Sequence, residues 1–381
     1  ASGKVDFKEL NLVQNVVEGQ PLAQKILAER GKGGKTVTGK YLEAKNGKDI
    51  PMPLGKNTRL AEDGLTIVAE TNGQVLILNN KINVEPILNI DGDVSLKTGN
   101  IMFLGNVYIS GNVEDGFSVK ASGNIEVKGT VGKSDLDAEG DIVVGQGIAG
   151  KGEGFVHAGK SIWSKFIENT KVEAGEFVIV SDGIINSQVA ANRKILCQGK
   201  RAAIIGGILS AAEEIHAKSL GSLGGASETV LNVGFDPRSK ERLDVLLANK
   251  QAAERELEDV ELNFNTLLNM KKQKKDFPEE KEAILKKYGE RQYILKTELE
   301  EVDLEIKQIQ DYLNTLKTKG KVSASVKVYA GVKIVIRDFT EEVRADCKAT
   351  TFYLENGLIR YGKYQGADDD MKRVPSGYTA D

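Results

Sequence analysis

Read for chemistry alone, one segment of this chain stands out. Gly154-Phe155-Val156-His157-Ala158-Gly159-Lys160-Ser161 matches the phosphate-cradling P-loop pattern letter for letter. Such a loop works because a buried strand leads into it and a helix opens directly after it, so that free amides and the lysine converge on phosphate oxygens. Here the following residues, Ser161-Ile162-Trp163-Ser164-Lys165-Phe166-Ile167, alternate like a strand. The match is therefore read as coincidence in a chain with 41 glycines. The remaining reactive residues are few. His157 and His216 are the only histidines, and Cys197 and Cys347 the only cysteines. Two thiols make neither a disulfide framework nor a zinc site. Asp368-Asp369-Asp370 reads as part of a polar tail, and the basic Gly-rich run Gly31 to Gly39 opens no helix. No cofactor or metal is implied.

The elements that position these residues come from a repeat. A small residue is followed four places later by an aliphatic one at Ala121/Ile125, Ala138/Ile142, Ala158/Ile162, Ala174/Val178, Ala191/Ile195 and Ala211/Ile215, at intervals of 16 to 20 residues. Self-similarity at so short a period marks a solenoid, whose repeats bury their apolar faces against each other. The residues four and six places after each small one point inward, and Cys197 falls in that inner ladder as a small buried hydrophobe. The residue five places after points outward. There the series reads Glu126, Val143, Trp163, Ile179, Leu196, His216, so Val143, Trp163, Ile179 and Leu196 form an apolar outer stripe, a candidate interaction surface. The stripe is covered either by another part of this chain or by a partner.

Glycines such as Gly99, Gly105, Gly111, Gly123, Gly129, Gly140 and Gly159 fall near the corners, where positive φ is expected. From Ile101 to Val131 the aliphatic positions keep a strict interval of six, which also suits a left-handed coil of the hexapeptide acyltransferase type. The later intervals favour a right-handed parallel β-helix. A hexapeptide-type enzyme would need a histidine base. His157 and His216 sit at outward positions with no carboxylate partner in their own repeat. An acyltransferase or ligand-binding solenoid is accordingly the alternative reading, not the preferred one.

From Pro237 through Lys319 glycine vanishes apart from Gly289, and two heptad seams take over. The first carries Leu243, Leu246, Lys250, Ala253, Leu257, Val260, Phe264 and Leu267. The second carries Leu285, Tyr288, Gln292, Leu295, Leu299, Val302, Ile306, Ile309, Leu313 and Leu316. Asp276-Phe277-Pro278 separates them, which gives an antiparallel coiled-coil hairpin. Its tip, Lys271-Lys272-Gln273-Lys274-Lys275, is read as a solvated face, since no aromatic platform accompanies it. The arm suits partner docking or self-association.

The whole chain divides into an N-terminal β-rich unit with one short helix near Leu22 to Glu29 (1–86), the β-helix (87–236), the hairpin (237–319), strands that complete the coil (320–365) and a flexible tail (366–381). The returning strands are Val322 to Val328, Val332 to Ile336 and Thr351 to Ile359. The 52 basic and 55 acidic side chains leave a net charge of -3, so no overall field draws in nucleic acid. No apolar run approaches the roughly 20 residues of a membrane span. The low cysteine count suits a reducing, cytoplasmic setting. The chain opens on Ala1-Ser2-Gly3-Lys4 without an initiating Met, which suggests a piece of a longer protein with a domain upstream.

This order of parts resembles the flagellar assembly protein A family. The resemblance rests on Ile109-Ser110-Gly111-Asn112-Val113, Phe117 to Ile125, Lys165-Phe166-Ile167-Glu168-Asn169, Gly206-Gly207, Leu220-Gly221-Ser222 and Val328-Tyr329-Ala330-Gly331-Val332-Lys333-Ile334. It covers about Val16 to Ile359, with Ala330 standing where the family's strand turn is expected to hold Pro. It implies a bacterial cytoplasmic protein with a right-handed β-helix and a coiled-coil insertion, tied to flagellar assembly or polar placement. It offers no catalytic residues to carry over. The combined expectation is a non-enzymatic scaffold that binds protein partners, flagellar or polar assembly components among them.

Overall fold

The computed structural model describes residues 8, 10, 13–225, 227–273, 278–315 and 320–366. Ala1 to Gly3, Lys274, Lys275, Asp276, Phe277, Leu316 and Asp368 to Asp370 lie outside them.

The repeat becomes a three-sided coil of parallel strands. On one side Ile101, Val119, Leu136, Val156, Val172, Val189, Leu209, Leu231 and Ile334 stack in register. On the second the ladder runs Leu88, Val107, Ile125, Ile142, Ile162, Val178, Ile195, Ile215, Val322. The third stacks Val94, Val113, Val131, Ile148, Ile167, Ile184, Ile204, Leu220 and Val328. All three converge on one core in which almost every member is sealed from solvent. The interval of six thus has a simple cause. Ile101, Val107 and Val113 are one position on each side of a single rung, and Val119, Ile125 and Val131 are the same positions on the next. Later strands lengthen, as in Gly147–Ala158, Ile162–Ala174 and Phe177–Ala191, and the interval widens.

The corner glycines require a correction. Of the seven named above, Gly99 alone has positive φ. The others are needed because rungs touch at the corners. A Cβ on Gly123 would meet the carbonyl oxygen of Gly105 at 2.8 Å, and one on Gly129 that of Gly111 at 2.7 Å. Beside them runs a device that the apolar pattern does not show. Asn106 Oδ1 accepts the amide of Asn124, Asn124 Oδ1 accepts that of Asp141, and Asp141 Oδ1 accepts that of Ser161, each at 2.8–3.0 Å. Corner amides that face no strand partner are satisfied by the rung below.

The N-terminal unit consists of small antiparallel sheets. The expected helix near Leu22 is absent: Pro21–Gln24 is a strand paired with Thr66–Ala69, and Lys25 onward is irregular up to the short strand Gly34–Lys35. Cross-strand pairing outweighs the weak helical preference of Leu-Ala-Gln. This unit caps the coil. Asn15 Nδ2 donates to the Met102 carbonyl at 2.8 Å, and its Oδ1 accepts the Leu104 amide at 3.1 Å.

At the far end, Lys321–Val328 and Lys333–Ile336 rejoin the coil as parallel strands. The last strands do not. Cys347–Glu355 pairs antiparallel with Lys321–Val328 and turns at Asn356-Gly357, both at positive φ, into Leu358–Lys363. The expected single strand Thr351 to Ile359 is therefore a hairpin that closes the coil's open edge. Ala330, where Pro was expected, donates its amide to Asp346 Oδ1 at 3.0 Å, a bond proline lacks the hydrogen to make.

Candidate functional site

The helical arm grows from a corner without disturbing the coil on either side. Gly234 still donates to the Ala212 carbonyl and Lys321 to that of Glu213, both at 3.0 Å, so the rung closes across the insertion. A Cβ on Gly320 would lie 2.8 Å from Gly234 Cα, which shows how closely the two chain ends meet. Helix α1 spans Pro237–Gln273 and α2 spans Glu279–Thr315. Asp236 caps α1: its carboxylate accepts the Arg238 amide at 3.2 Å and the Ser239 hydroxyl at 2.6 Å, with Pro237 in the first turn. In α2, Glu279, Glu280 and Glu282 place negative charge against the positive end of the helix dipole.

The two helices pack through the seam residues. Leu246, Val260, Leu285, Leu295 and Ile306 are buried. Leu243, Leu257, Phe264, Leu267, Leu299, Val302, Ile309 and Leu313 are half-buried, as befits a two-helix hairpin with one open side. Cross-helix pairs fix the antiparallel register. Arg242 binds Glu305, Arg291 binds Glu256, both bidentate at 2.8–3.0 Å, and Lys250 reaches Asp303 at 2.6 Å. Lys250 and Gln292, the polar seam positions, thus act as register markers, Gln292 through Glu261 at 2.8 Å.

The arm is also tied to the coil's first side. Arg238 donates to His157 Nε2 at 2.9 Å, while His157 Nδ1 lies 2.8 Å from Asp137 Oδ1. Because a guanidinium only donates, Nε2 must carry its lone pair and Nδ1 the proton. Asp137 is in the neighbouring rung, directly opposite His157 in register. Inspection of one repeat at a time misses it, whereas stacking the repeats at their own spacing finds it. With both nitrogens engaged, His157 is a tether for the arm and not a base. Beside it, Glu173 holds the Lys171 ammonium above its usual value, with Glu241 of α1 adding to the effect. Between α1 and the coil lies a cavity of about 540 Å³, lined by Ala190, Ser210, Asn232, Phe235, Val245 and Ala248 among others.

On the second side the outer stripe sits in the expected register, with Glu126, Val143, Trp163, Ile179, Leu196 and His216 opposite one another. Within the single chain Val143, Trp163, Ile179 and Leu196 retain only 7%, 8%, 6% and 1% of their surface. Val143, Trp163 and Ile179 form, with Phe177, an apolar cluster separate from the coil's core. Arg193 covers Phe177 with its guanidinium 4.8 Å from the ring centre. His216 is buried too, its Nε2 2.8 Å from the Tyr364 hydroxyl. Burial first, and Lys321 second, pull its imidazole below the ordinary range, so it is held neutral. Alongside run the buried Lys194 and Glu214, with Lys321 Nζ 3.6 Å from Glu214.

The P-loop-like segment lies in the end of the strand Gly147–Ala158 and the corner that follows it, and its amides are engaged. Gly159 donates to Ala138, Lys160 to Gly140 and Ser161 to Asp141 of the rung below, at 2.8–3.1 Å. Phosphate would have to compete with the coil for every one of them. Cys197 is sealed in the core, and burial pushes its thiol up to about 12.

Two family models match this chain, one over the coil with its helical hairpin and one over the small antiparallel sheets before it. A family model described as the Flagellar Assembly Protein A beta solenoid domain matches residues 86–359, and one described as the Flagellar Assembly Protein A N-terminal region matches residues 1–80. The chain belongs to the flagellar assembly protein A family. Among curated proteins and solved structures no match was found. The break between the two flagellar assembly protein A matches falls just before Ile87–Ile90, the first strand of the coil. The solenoid match runs straight across α1 and α2, so the arm lies inside the family's domain rather than beside it. Among the described residues no helix is long and apolar enough to cross a membrane.

Proposed function

We propose that this chain is a non-enzymatic scaffold or regulatory protein of flagellar assembly or placement, working in the cytoplasm, at the cell pole or the inner face of the envelope. Its working part is the arm. The observation that carries this reading is the arm's construction: two helices of 37 residues each, about 55 Å long at 1.5 Å per residue, leave a corner whose hydrogen bonds close as though nothing were inserted. The coil does not need the arm in order to fold. A rigid lever held at a fixed angle by Arg238, His157 and Asp137 suits protein docking. Open apolar side chains on it, Leu262, Tyr293 and Leu304 at 60–75% exposure, offer contacts to a flagellar or polar component or to a second copy.

The test is to replace residues 237–319 by a short Gly-Ser linker. The shortened protein is expected to keep its strand content and its blue-shifted Trp163 fluorescence, while motility and localisation are lost in the source bacterium. Pull-downs with intact and arm-deleted protein identify what the arm holds. Normal motility and localisation with the arm removed would overturn this assignment.

A further inference from the structure

Within the N-terminal unit, residues 26–50 are exposed at every position but Thr36 and Ala44. Their backbone nevertheless forms one narrow ribbon. At its tip Thr36 donates to the Lys40 carbonyl at 2.8 Å around Val37-Thr38-Gly39, with Gly39 at φ +85. Gly34–Lys35 then pairs antiparallel with Tyr41–Leu42. Closer to the root, Gly31 donates to Asn46 Oδ1 at 3.1 Å and Gly47 to the Glu29 carbonyl at 3.0 Å. Lys25 fastens the root to the unit: its amide donates to the Leu65 carbonyl at 2.8 Å, and its Nζ lies 2.6 Å from Asp49. A two-stranded ribbon buries too little apolar surface to be stable alone. Its side chains add little to the fold, so their composition has another cause.

That composition is one-sided. Between Ile26 and Lys48 the cations Arg30, Lys32, Lys35, Lys40, Lys45 and Lys48 face only Glu29 and Glu43, a net +4 in a chain whose total is -3. Among the described residues none of these six cations is ion-paired. Large apolar groups stand open among them. Val37 at the tip is fully exposed, and Tyr41 and Leu42 keep 62% and 52% of their surface. The Tyr41 ring lies against Gly33, where a Cβ would come 2.8 Å from Cζ, so one face of the ring is already taken by backbone.

Cations and open aliphatic groups together select one partner. Nucleic acid rewards lysines but stacks its bases on aromatic faces, and a single half-covered tyrosine with exposed valine and leucine offers little to it. An anionic bilayer rewards both. Lipid phosphates take the cations, whose apolar stems reach along the surface, while aliphatic groups enter the acyl boundary and tyrosine stays at headgroup level. The chain's overall negative charge does not oppose this, because charges beyond a Debye length of about 8–10 Å are screened.

We propose that the ribbon 29–47 is a membrane-docking finger: Val37, Tyr41 and Leu42 dip into the headgroup layer of an anionic bilayer while the surrounding lysines and Arg30 bind lipid phosphates. The contact is peripheral and independent of the helical arm.

Co-sedimentation of the full chain with vesicles tests it. Protein should pellet with phosphatidylcholine vesicles containing one-third phosphatidylglycerol at about 0.1 M salt, not with pure phosphatidylcholine, and should be released near 1 M salt. Each cation beside such a surface is worth roughly fivefold in binding, so Lys35→Ala with Lys40→Ala should weaken it by about 25-fold. Arg30→Ala with Lys48→Ala, at the other end of the ribbon, should weaken it too, which guards against a local folding effect of the first pair. In Val37→Trp the new emission should shift to the blue on anionic vesicles, over a constant background from the buried Trp163. No pelleting with anionic vesicles, pelleting that both double variants leave unchanged, or a tip tryptophan unmoved in vesicle-bound protein overturns the proposal. So does tighter binding to single-stranded RNA or duplex DNA than to vesicles, lost in the same variants, since the finger then serves nucleic acid.

Discussion

Exchanging Gly175 for alanine tests the reason for the corner glycines. Gly175 follows the strand Ile162–Ala174, and its φ is not in the left-handed region, so alanine has no backbone objection there. The obstacle is the rung below: a Cβ would fall on the carbonyl oxygen of Gly159 and 2.7 Å from its carbonyl carbon. To make room, the rungs must part, and the bonds from Gly175 to Ala158 at 3.0 Å and from Glu176 to Lys160 at 2.8 Å go with them. Two net hydrogen bonds are worth about 2 kcal/mol, and overpacking adds about 1–3 kcal/mol. Loss of glycine's freedom in the unfolded chain offsets about 0.4–1 kcal/mol, which leaves about 2–5 kcal/mol of destabilisation. Gly152 is the contrasting site, with φ +89 and nothing within 4 Å of a built Cβ. There alanine meets only left-handed strain of about 1–2 kcal/mol, with the same offset. Urea unfolding followed by Trp163 fluorescence measures both. If Gly152→Ala proves the more damaging of the two, positive φ governs these glycines and the argument from rung contact fails.

Three further outcomes follow from the same geometry. The neutral, buried His216 binds a proton less readily in the fold than in the unfolded chain, whose imidazole titrates near its ordinary 6.5. Stability is therefore complete above that pH and declines below it, and in His216→Gln the thermal midpoint should lose this step between pH 7 and 5. Cys197, with its thiol pushed up to about 12, should resist Ellman's reagent at pH 8 in native protein and react on unfolding, whereas the partly exposed Cys347 reacts at once. Leu295→Ala, at a seam position 1% exposed, should cost the hairpin about 2–5 kcal/mol and speed hydrogen exchange in α1 and α2. The coil's amides should be unaffected, since each rung leans only on its neighbours.

Much of this molecule was legible in the chain because a solenoid makes long-range contacts periodic. Ala121/Ile125 and its successors set the rungs, put Cys197 inside and Trp163 outside, and ruled out the P-loop reading, all from side-chain alternation and spacing. The heptads gave the arm for the same reason, that local periodicity decides which face is apolar. Contacts outside the repeat were not legible. The strand at Pro21–Gln24 needed a partner more than forty residues away, and the closing hairpin needed the turn chemistry of Asn356-Gly357 to be weighed above the coil's own pattern.

The sequence by itself determined the rung register, the inner ladders and the helical arm, because each depends on which side of a strand or helix a residue occupies. Tertiary structure alone decided what lies on the outside. It joined His157 to Asp137 one rung away and to Arg238 on the arm, and it laid Tyr364 on His216 across 148 residues of chain. Periodicity says that a side chain points outward. What meets it there depends on where a distant, non-repeating segment comes to rest, and that is fixed by packing rather than by local preference.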